Sequence, residues 1–314
     1  MEVNKASLTA IVSAFGRAYH SLNDEPKIFN DYLAEKMITD EEFKNISKNM
    51  IEGIKFFNPE DENIYKNEES MLKWIVQTQI SPTPLARSRY TEDMLENAIK
   101  MGVKQYVILG AGFDTFAFRK PELLKKIKVF EVDHPATQEL KLKRIKDLGW
   151  EISPSLKFAP VDFSKDGLKK ALLDSGFDSN SLSFFSWLGV TYYLSREEII
   201  NMFKSISSIA CKGSSLVFDY PDKDIFNSER TTSRVQAMVK MAEVAGEPMK
   251  TGYEYLELES DLDKAGLLIY EHLTPKDIEE KYFKERDDYY HAFENINYAL
   301  AVVDKKLGAV HSNI

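Results

Sequence analysis

The sequence feature that most constrains the fold is a change of pattern near residue 104. The first 100 residues hold mainly segments with the 3.6-residue apolar period of helices. Beyond residue 104, short runs rich in β-branched and aromatic residues alternate with longer helical stretches, which is typical of a mostly parallel sheet covered on both faces. The pattern predicts seven strands, at residues 105–109, 129–132, 157–161, 182–187, 215–219, 267–273 and 298–303.

Most connections between these strands are long enough for a crossover helix, and the final pair can run antiparallel. We therefore expect an α/β fold with a doubly wound, seven-stranded, mostly parallel, Rossmann-like sheet. Residues 1–100 are predicted to form a helical cap that completes the cofactor and substrate sites, and residues 101–314 to form the core. Residues 223–252 lack strand character and predict a helical insertion over the sheet edge where ligands bind.

Charge and composition exclude several classes of partner. The formal net charge is −9, so the long-range field repels nucleic acid and anionic membranes. The single cysteine, Cys211, cannot form an intramolecular disulfide, and the Cys and His spacings of zinc sites are absent, so no metal site is predicted. There is no signal peptide pattern and no stretch of ~20 apolar residues. We expect a cytoplasmic protein that does not enter membranes.

A glycine-rich turn follows the first predicted strand, where open α/β sheets bind ligands. Gly110 and Gly112 let the backbone turn tightly and approach a ligand closely. A dinucleotide fingerprint would place a third glycine at position 115, but Thr115 stands there and Asp114 precedes it. A carboxylate repels a pyrophosphate but tolerates the sulfonium and ammonium groups of S-adenosylmethionine. The turn therefore favours S-adenosylmethionine over a nicotinamide cofactor.

Acidic residues end the next two predicted strands. Asp133 lies twenty-one residues past Gly112, where a carboxylate can accept hydrogen bonds from both hydroxyls of a ribose. Glu131 has the same parity along the strand and is the alternative. Asp162 and Phe163 follow the third strand and suit the amino group and the face of an adenine, although this pair would also start a helix well.

No catalytic residue can be assigned from the sequence. The aromatic-rich run at 184–194, which includes Tyr192 and Tyr193, fits either core packing or cation–π attraction to a sulfonium. His134 is the histidine nearest these motifs, but it stands beside the acid proposed for the ribose, so we assign it a structural hydrogen bond.

Five motifs, in this order, resemble those of the leucine carboxyl methyltransferase-like family, whose fold is that of class I methyltransferases. The family includes phosphatase methyltransferases and microbial enzymes of small-molecule type. The resemblance spans most of the chain and rests on the segments ARSRY at 86–90, LGAGFDT at 109–115, FEVDHP at 130–135, VDF at 161–163 and LGVTYYL at 188–194.

The resemblance implies that Arg87, with Arg89 as the alternative, reaches from the cap to bind the cofactor carboxylate, a role that suits a guanidinium. It also implies that Gly110 lies against the cofactor, that Asp133 holds the ribose, and that Asp162 with Phe163 frames the adenine. The chain departs from the pattern at Leu188, a cofactor-site position where many relatives have a glutamate. It also has Ala10 where the phosphatase branch has a lysine. Both departures favour the microbial small-molecule branch, as does the Gly-Glu-Pro turn that begins the segment at 246–252.

These observations predict an S-adenosylmethionine-dependent O-methyltransferase. Its partner would be a small-molecule acceptor with a carboxylate or a hydroxyl, methylated by direct in-line displacement. The alternatives are a non-catalytic adenosyl-binding protein and, less favoured by Asp114 and Thr115, a nicotinamide-dependent oxidoreductase.

Overall fold

The computed structural model describes residues 7–58, 65–163 and 167–304. Seven strands form one sheet in the order β3-β2-β1-β4-β5-β7-β6. Residues 1–6 and 59–64 of the predicted cap, and residues 164–166 and 305–314 of the predicted core, lie outside the described residues. The strands are β1 (Gln105–Leu109), β2 (Lys128–Asp133), β3 (Leu156–Pro160), β4 (Ser183–Trp187), β5 (Ser215–Pro221), β6 (Leu267–Leu273) and β7 (Ile296–Val303).

The seven predicted strands are confirmed, with bounds that differ from the predictions by at most two residues. Strands β1 to β5 all run parallel to one another. Only β7 is reversed, and it pairs antiparallel with both β5 and β6. Strand β1 pairs with β2 on one side and β4 on the other, so the order of the strands reverses at β1 and β4. Doubly wound sheets bind ligands at this point, next to the carboxyl ends of the strands.

Helices cover both faces of the sheet and form the cap. Prolines at the first turn begin α5, α7 and α12, where the missing N–H costs nothing. The α-helices of the described residues are α1 (Leu8–Asn23), α2 (Asp40–Glu52), α3 (Ile54–Phe57), α4 (Glu68–Ile75), α5 (Pro82–Lys100), α6 (Phe116–Arg119), α7 (Pro135–Asp147), α8 (Leu168–Asp174), α9 (Arg196–Ile209), α10 (Ser233–Val244), α11 (Tyr255–Lys264) and α12 (Pro275–Tyr282).

Alternate residues of each strand supply two hydrophobic cores. On one face, Tyr106 and Ile108 pack with Leu85 and Tyr90 of α5. On the other face, the side chains of Val107, Leu109 and Trp187 pack against α8, α9 and α11. A third cluster joins α1, α2 and α4, and it reaches the core through Phe113 of the glycine turn. The helices of the cap are therefore packed directly on the turn that follows β1.

Residues 223–252, the predicted insertion, include α10. Strand β4 ends at Trp187, within the aromatic-rich run at 184–194. In the part of the chain that the structure describes, no helix combines the length and apolar character needed to cross a bilayer.

Candidate functional site

A cavity of about 410 Å³ opens at the carboxyl ends of β1, β2 and β4. Its floor includes the glycine turn, Asp133 at the end of β2 and Asp162 after β3. Its opposite side is made by the first turns of α1 and by the turn at 246–250. The volume lies in the range of small-molecule and cofactor sites. The cavity is lined by every residue that the sequence predicted for cofactor binding, namely Arg87, Gly110, Gly112, Asp133, Asp162, Phe163 and Leu188.

Both glycines of the turn adopt the left-handed conformation, with φ of +71° at Gly110 and +50° at Gly112. A Cβ on Gly110 would lie 2.6 Å from Cγ2 of Val190, and one on Gly112 would lie 3.2 Å from the Cβ of Ala10. The predicted reasons for the two glycines, a tight turn and close approach to a ligand, are therefore not the complete explanation. The glycines are also required because the loop after β4 and the cap helix α1 approach the turn closely.

Asp133 ends β2 and lies at the cavity wall. Its carboxylate accepts hydrogen bonds from the backbone N–H of Gly112 and, at 2.6 Å, from that of His134. Burial raises the pKa of Asp133 above its usual value, although these two N–H groups act in the opposite direction. The carboxylate is thus fixed in one orientation and retains lone pairs for further donors.

Glu131, the alternative to Asp133, does not line the cavity. It lies two residues earlier in β2, is 1% exposed, and accepts a 2.5 Å hydrogen bond from Nζ of Lys141. The same ammonium donates to the backbone carbonyl of Asp114 at 2.6 Å. This buried pair therefore supports the glycine turn from below.

Asp162 and Phe163 lie just beyond β3, beside His134. The Nε2 atom of His134 is 4.0 Å from Oδ2 of Asp162. The other ring nitrogen, Nδ1, accepts a 3.3 Å hydrogen bond from the backbone N–H of Ala136 at the start of α7. His134 is therefore the N-cap of α7. Its side chain makes a structural hydrogen bond, which is the role that the sequence predicted.

Arg87 reaches the cavity from α5, whereas Arg89 does not. Nη1 of Arg87 donates at 2.8 Å to Oδ2 of Asp219, a residue of β5 that is fully buried. Arg89 is half exposed and pairs with Asp93 on the same helix, at 3.0 Å. Of the two arginines considered, Arg87 is the one placed to contact a ligand.

The loop after β4 is built around Asp219. The N–H of Gly189 donates to Oδ1 of Asp219 at 2.7 Å, and the hydroxyl of Tyr192 donates to Oδ2. Thr191 donates from Oγ1 to the backbone carbonyl of the same aspartate at 2.7 Å. Tyr192 is thus a buried part of this assembly, while Tyr193 lines the cavity. Tyr192 and Tyr193 were both candidates for cation–π contact with a sulfonium. Of these two, only Tyr193 lines the cavity.

The cap and the insertion meet over the cavity through one carboxylate. Oγ of Ser7 donates to Oε1 of Glu247 at 3.2 Å, and the hydroxyl of Thr9 donates to Oε2. Ser7 and Thr9 lie at the start of α1, and Glu247 belongs to the Gly-Glu-Pro turn. We call Ser7, Thr9 and Glu247 the roof of the cavity.

A second polar network holds α1 against the glycine turn. Arg17 donates from Nη2 to the backbone carbonyl of Phe113 and from Nε to Asp31, both at 2.9 Å. Asp31 is 1% exposed, accepts a hydrogen bond from Thr115, and forms an ion pair with Arg119, whose Nε lies 3.1 Å from Oδ1. This network fixes the cap to the first loop of the core.

Sequence reasoning missed Asp219, Arg17 and Asp31. Asp219 carried a usable signal, because it is the last residue of the strand predicted at 215–219. Arg17 and Asp31 carried none, because the core groups that they contact, at Phe113 and Thr115, lie far away in the sequence. Within residues 7–58, 65–163 and 167–304, no three His, Cys, Asp or Glu side chains are grouped so that they could hold a metal ion.

Known proteins resemble this chain in sequence and in fold. The family model described as leucine carboxyl methyltransferase matches residues 10–207. A Bacillus subtilis (strain 168) protein, YktD, named as an S-adenosyl-L-methionine-dependent methyltransferase, is 51% identical over 303 residues, 96% of this chain and 99% of its own length. A Mycobacterium avium (strain 104) protein named for the same activity is 31% identical over 49% of this chain and 52% of its own length.

A solved structure from Thermobifida fusca YX, described as a methyltransferase, has a TM-score of 0.56 at 11% identity and covers 96% of this chain and 97% of its own. At that identity the likeness shows the fold alone. The strand order, the cavity at its switch point and these relatives together define a class I S-adenosyl-L-methionine-dependent methyltransferase. Within that class, the chain belongs to the leucine carboxyl methyltransferase family.

Proposed function

We propose that this methyltransferase transfers the methyl group to an oxygen of a small molecule, a carboxylate or a hydroxyl. The observation that carries the proposal is the single cavity that runs from the glycine turn and Asp133 to Tyr193 and Glu247. The first part offers the groups that an adenosyl ligand needs. The second part, under the roof, is left for an acceptor.

In this proposal the cofactor lies across the carboxyl ends of β1 and β2. Asp133 accepts hydrogen bonds from the ribose hydroxyls, with Gly112 and His134 holding its carboxylate in place. Asp162 and Phe163 frame the adenine, and Gly110 allows close approach of the backbone. Arg87 binds the carboxylate of the amino-acid part, and Leu188 supplies an apolar contact beside it.

When bound, S-adenosylmethionine supplies an electrophilic methyl group on a sulfonium. The residues of the chain then have to orient the acceptor oxygen in line and exclude water. Tyr193 does not serve as a base in this scheme, because burial raises its pKa to about 12 and keeps the phenol neutral. A carboxylate acceptor needs no base, and we assign no catalytic residue.

The roof favours a small acceptor over a protein chain. Glu247 accepts hydrogen bonds from both Ser7 and Thr9, so the cap and the insertion are joined above the cavity. A protein tail would have to separate them, whereas a small molecule fits beneath. This contact supports the small-molecule branch of the family over protein carboxyl methylation.

Calorimetric titration and labelled turnover test the proposal. We expect S-adenosylhomocysteine to bind and NAD not to bind. With methyl-labelled cofactor, label should pass to a component of a protein-free metabolite extract and not to peptides that end in a free carboxylate. Release of the label as methanol in mild base would identify a methyl ester, and a label that is stable in base would exclude one. Cofactor binding without transfer to any component would favour the non-catalytic alternative.

Replacing Asp133 tests the assignment of the ribose site. We expect Asp133→Ala to weaken binding of S-adenosylhomocysteine by about 1–3 kcal/mol, because charge-assisted hydrogen bonds are lost. Calorimetry measures the change, with the exposed Asp147→Ala on α7 as the control. Equal affinities of the two variants would remove Asp133 from the site.

A further inference from the structure

The carboxylate of Asp219 is the centre of the polar contacts at the carboxyl end of β5. It is fully buried, and its two oxygens accept hydrogen bonds from Gly189, Tyr192 and Arg87. These donors come from the loop after β4 and from cap helix α5. A buried carboxylate with three donors is rigidly oriented. Asp219 therefore defines where the guanidinium of Arg87 can lie.

Gly189 restricts the guanidinium from another side. Its φ is +69°, and a Cβ on this residue would lie 2.6 Å from both Nη1 and Nη2 of Arg87. The guanidinium thus lies directly on the backbone of the loop. With Asp219 on Nη1 and the glycine beneath, the planar group has one available orientation.

The opposite edge of the guanidinium is available to a ligand. Arg87 lines the cavity and its side chain is 14% exposed. Among the described residues, its sole hydrogen bond is the one from Nη1 to Asp219. Because a guanidinium carries five N–H donors in a fixed fork, the remaining donors can bind a carboxylate.

We propose that Asp219 is a positioning residue: it holds Arg87 so that the unused donors of the guanidinium meet the carboxylate of the cofactor's amino-acid part. The inference rests on the proposed function of Arg87. It adds that the loop motif at 189–192 has a purpose in cofactor binding, although Asp219 and Tyr192 do not touch the cofactor. A purely structural Arg87–Asp219 pair, which would only join α5 to β5, is the competing explanation.

Two ligands that differ in the amino-acid part separate these explanations. S-adenosylhomocysteine has this part, whereas 5′-methylthioadenosine keeps the adenosine and the thioether but lacks both the carboxylate and the ammonium group. In Asp219→Asn we expect the affinity for S-adenosylhomocysteine to fall about 10- to 100-fold, the range for hydrogen bonds to charged groups. The affinity for 5′-methylthioadenosine should stay within about 3-fold of the wild type, because its contacts do not involve Arg87.

Asp222→Asn is the matched control, because Asp222 directly follows β5 and bonds to Asn295 outside the cavity. Tyr192→Phe is the second variant, should Asp219→Asn fail to fold. It removes one hydrogen bond to the same carboxylate and should lower the affinity for S-adenosylhomocysteine alone, by about 3- to 10-fold. Equal losses for both ligands, or no loss for either, would overturn the inference. If the wild type binds neither ligand, the proposed function of the site fails instead.

Discussion

An Asp31→Ala variant is expected to lose about 3–5 kcal/mol of stability, because removing one partner of a buried ion pair leaves an uncompensated charge. Asp31 is 1% exposed and is paired with Arg17 and with Arg119. Arg119 keeps Glu92 as a second partner, but Arg17 keeps only uncharged hydrogen-bond acceptors. Denaturant unfolding measures the loss.

The control is Asp93→Ala, which removes the partner of Arg89 in an exposed pair on α5. Exposed pairs contribute about 0–1 kcal/mol, so this variant should unfold close to the wild type. Equal losses in the two variants would contradict the assignment of Asp31 as the anchor of a buried network.

The Asp31 network also predicts a dependence on pH. Burial alone would raise the pKa of Asp31, but Arg17 and Arg119 hold it below its usual value. A carboxylate whose pKa is lower in the folded than in the unfolded chain stabilises the fold above the unfolded pKa. That stabilisation is lost as the pH falls through the folded pKa. The difference in stability between wild type and Asp31→Ala should therefore shrink in acid.

Removal of Asp31 should also weaken ligand binding in the cavity. Arg17 links Asp31 to the carbonyl of Phe113, and Phe113 follows Gly112 in the turn. Without Asp31 the guanidinium is free to leave that carbonyl, and α1 is held less firmly over the turn. We expect weaker binding of S-adenosylhomocysteine even under conditions where the variant remains folded.

The sheet could be predicted from the sequence because its strands are buried on both faces. Such strands appear as short apolar and β-branched runs, and this pattern is local. The candidate cofactor residues could be predicted for a related reason. Gly110, Asp133 and Asp162 each directly follow a predicted strand, and the carboxyl ends of parallel strands meet at one edge of the sheet.

Residue parity alone could not separate Asp133 from Glu131. Both side chains point to the same face of the sheet. Glu131, however, lies two residues before Asp133 in β2, and its carboxylate contacts Lys141 of α7. Asp219 could have been suspected from its place at the end of the predicted strand 215–219. Its role could not, because Arg87 lies 132 positions away and α5 had no predicted orientation.

Lys141→Met is expected to destabilise the protein by about 3–5 kcal/mol at about pH 8, because it leaves the carboxylate of Glu131 without a charged partner in the core. Both side chains are 1% exposed. Within the described residues, Lys141 is the hydrogen-bond donor to the carboxylate of Glu131 through Oε2, and Oε1 has no hydrogen-bond partner. The control is Lys143→Met on the same helix, where Lys143 forms an exposed pair with Asp147.

The stability lost in Lys141→Met should grow as the pH rises. Burial raises the pKa of Glu131 to about 7, even though Lys141 acts in the opposite direction. A carboxyl with a raised folded pKa contributes stability below the unfolded pKa, and this contribution is lost as the pH rises through the folded value. Without Lys141 the folded pKa rises further. Unfolding measured at about pH 5 and about pH 8 should therefore show a larger loss at the higher pH in Lys141→Met than in Lys143→Met.

A double variant distinguishes the two functions of Lys141. Glu131→Leu combined with Lys141→Met replaces the pair by apolar side chains, a change that is often neutral or stabilising. We expect it to regain most of the stability lost in Lys141→Met. The hydrogen bond from Lys141 to the carbonyl of Asp114 stays broken, however, so the glycine turn should remain loosened and the affinity for S-adenosylhomocysteine should not recover. Recovery of both properties would mean that Lys141 serves the core alone.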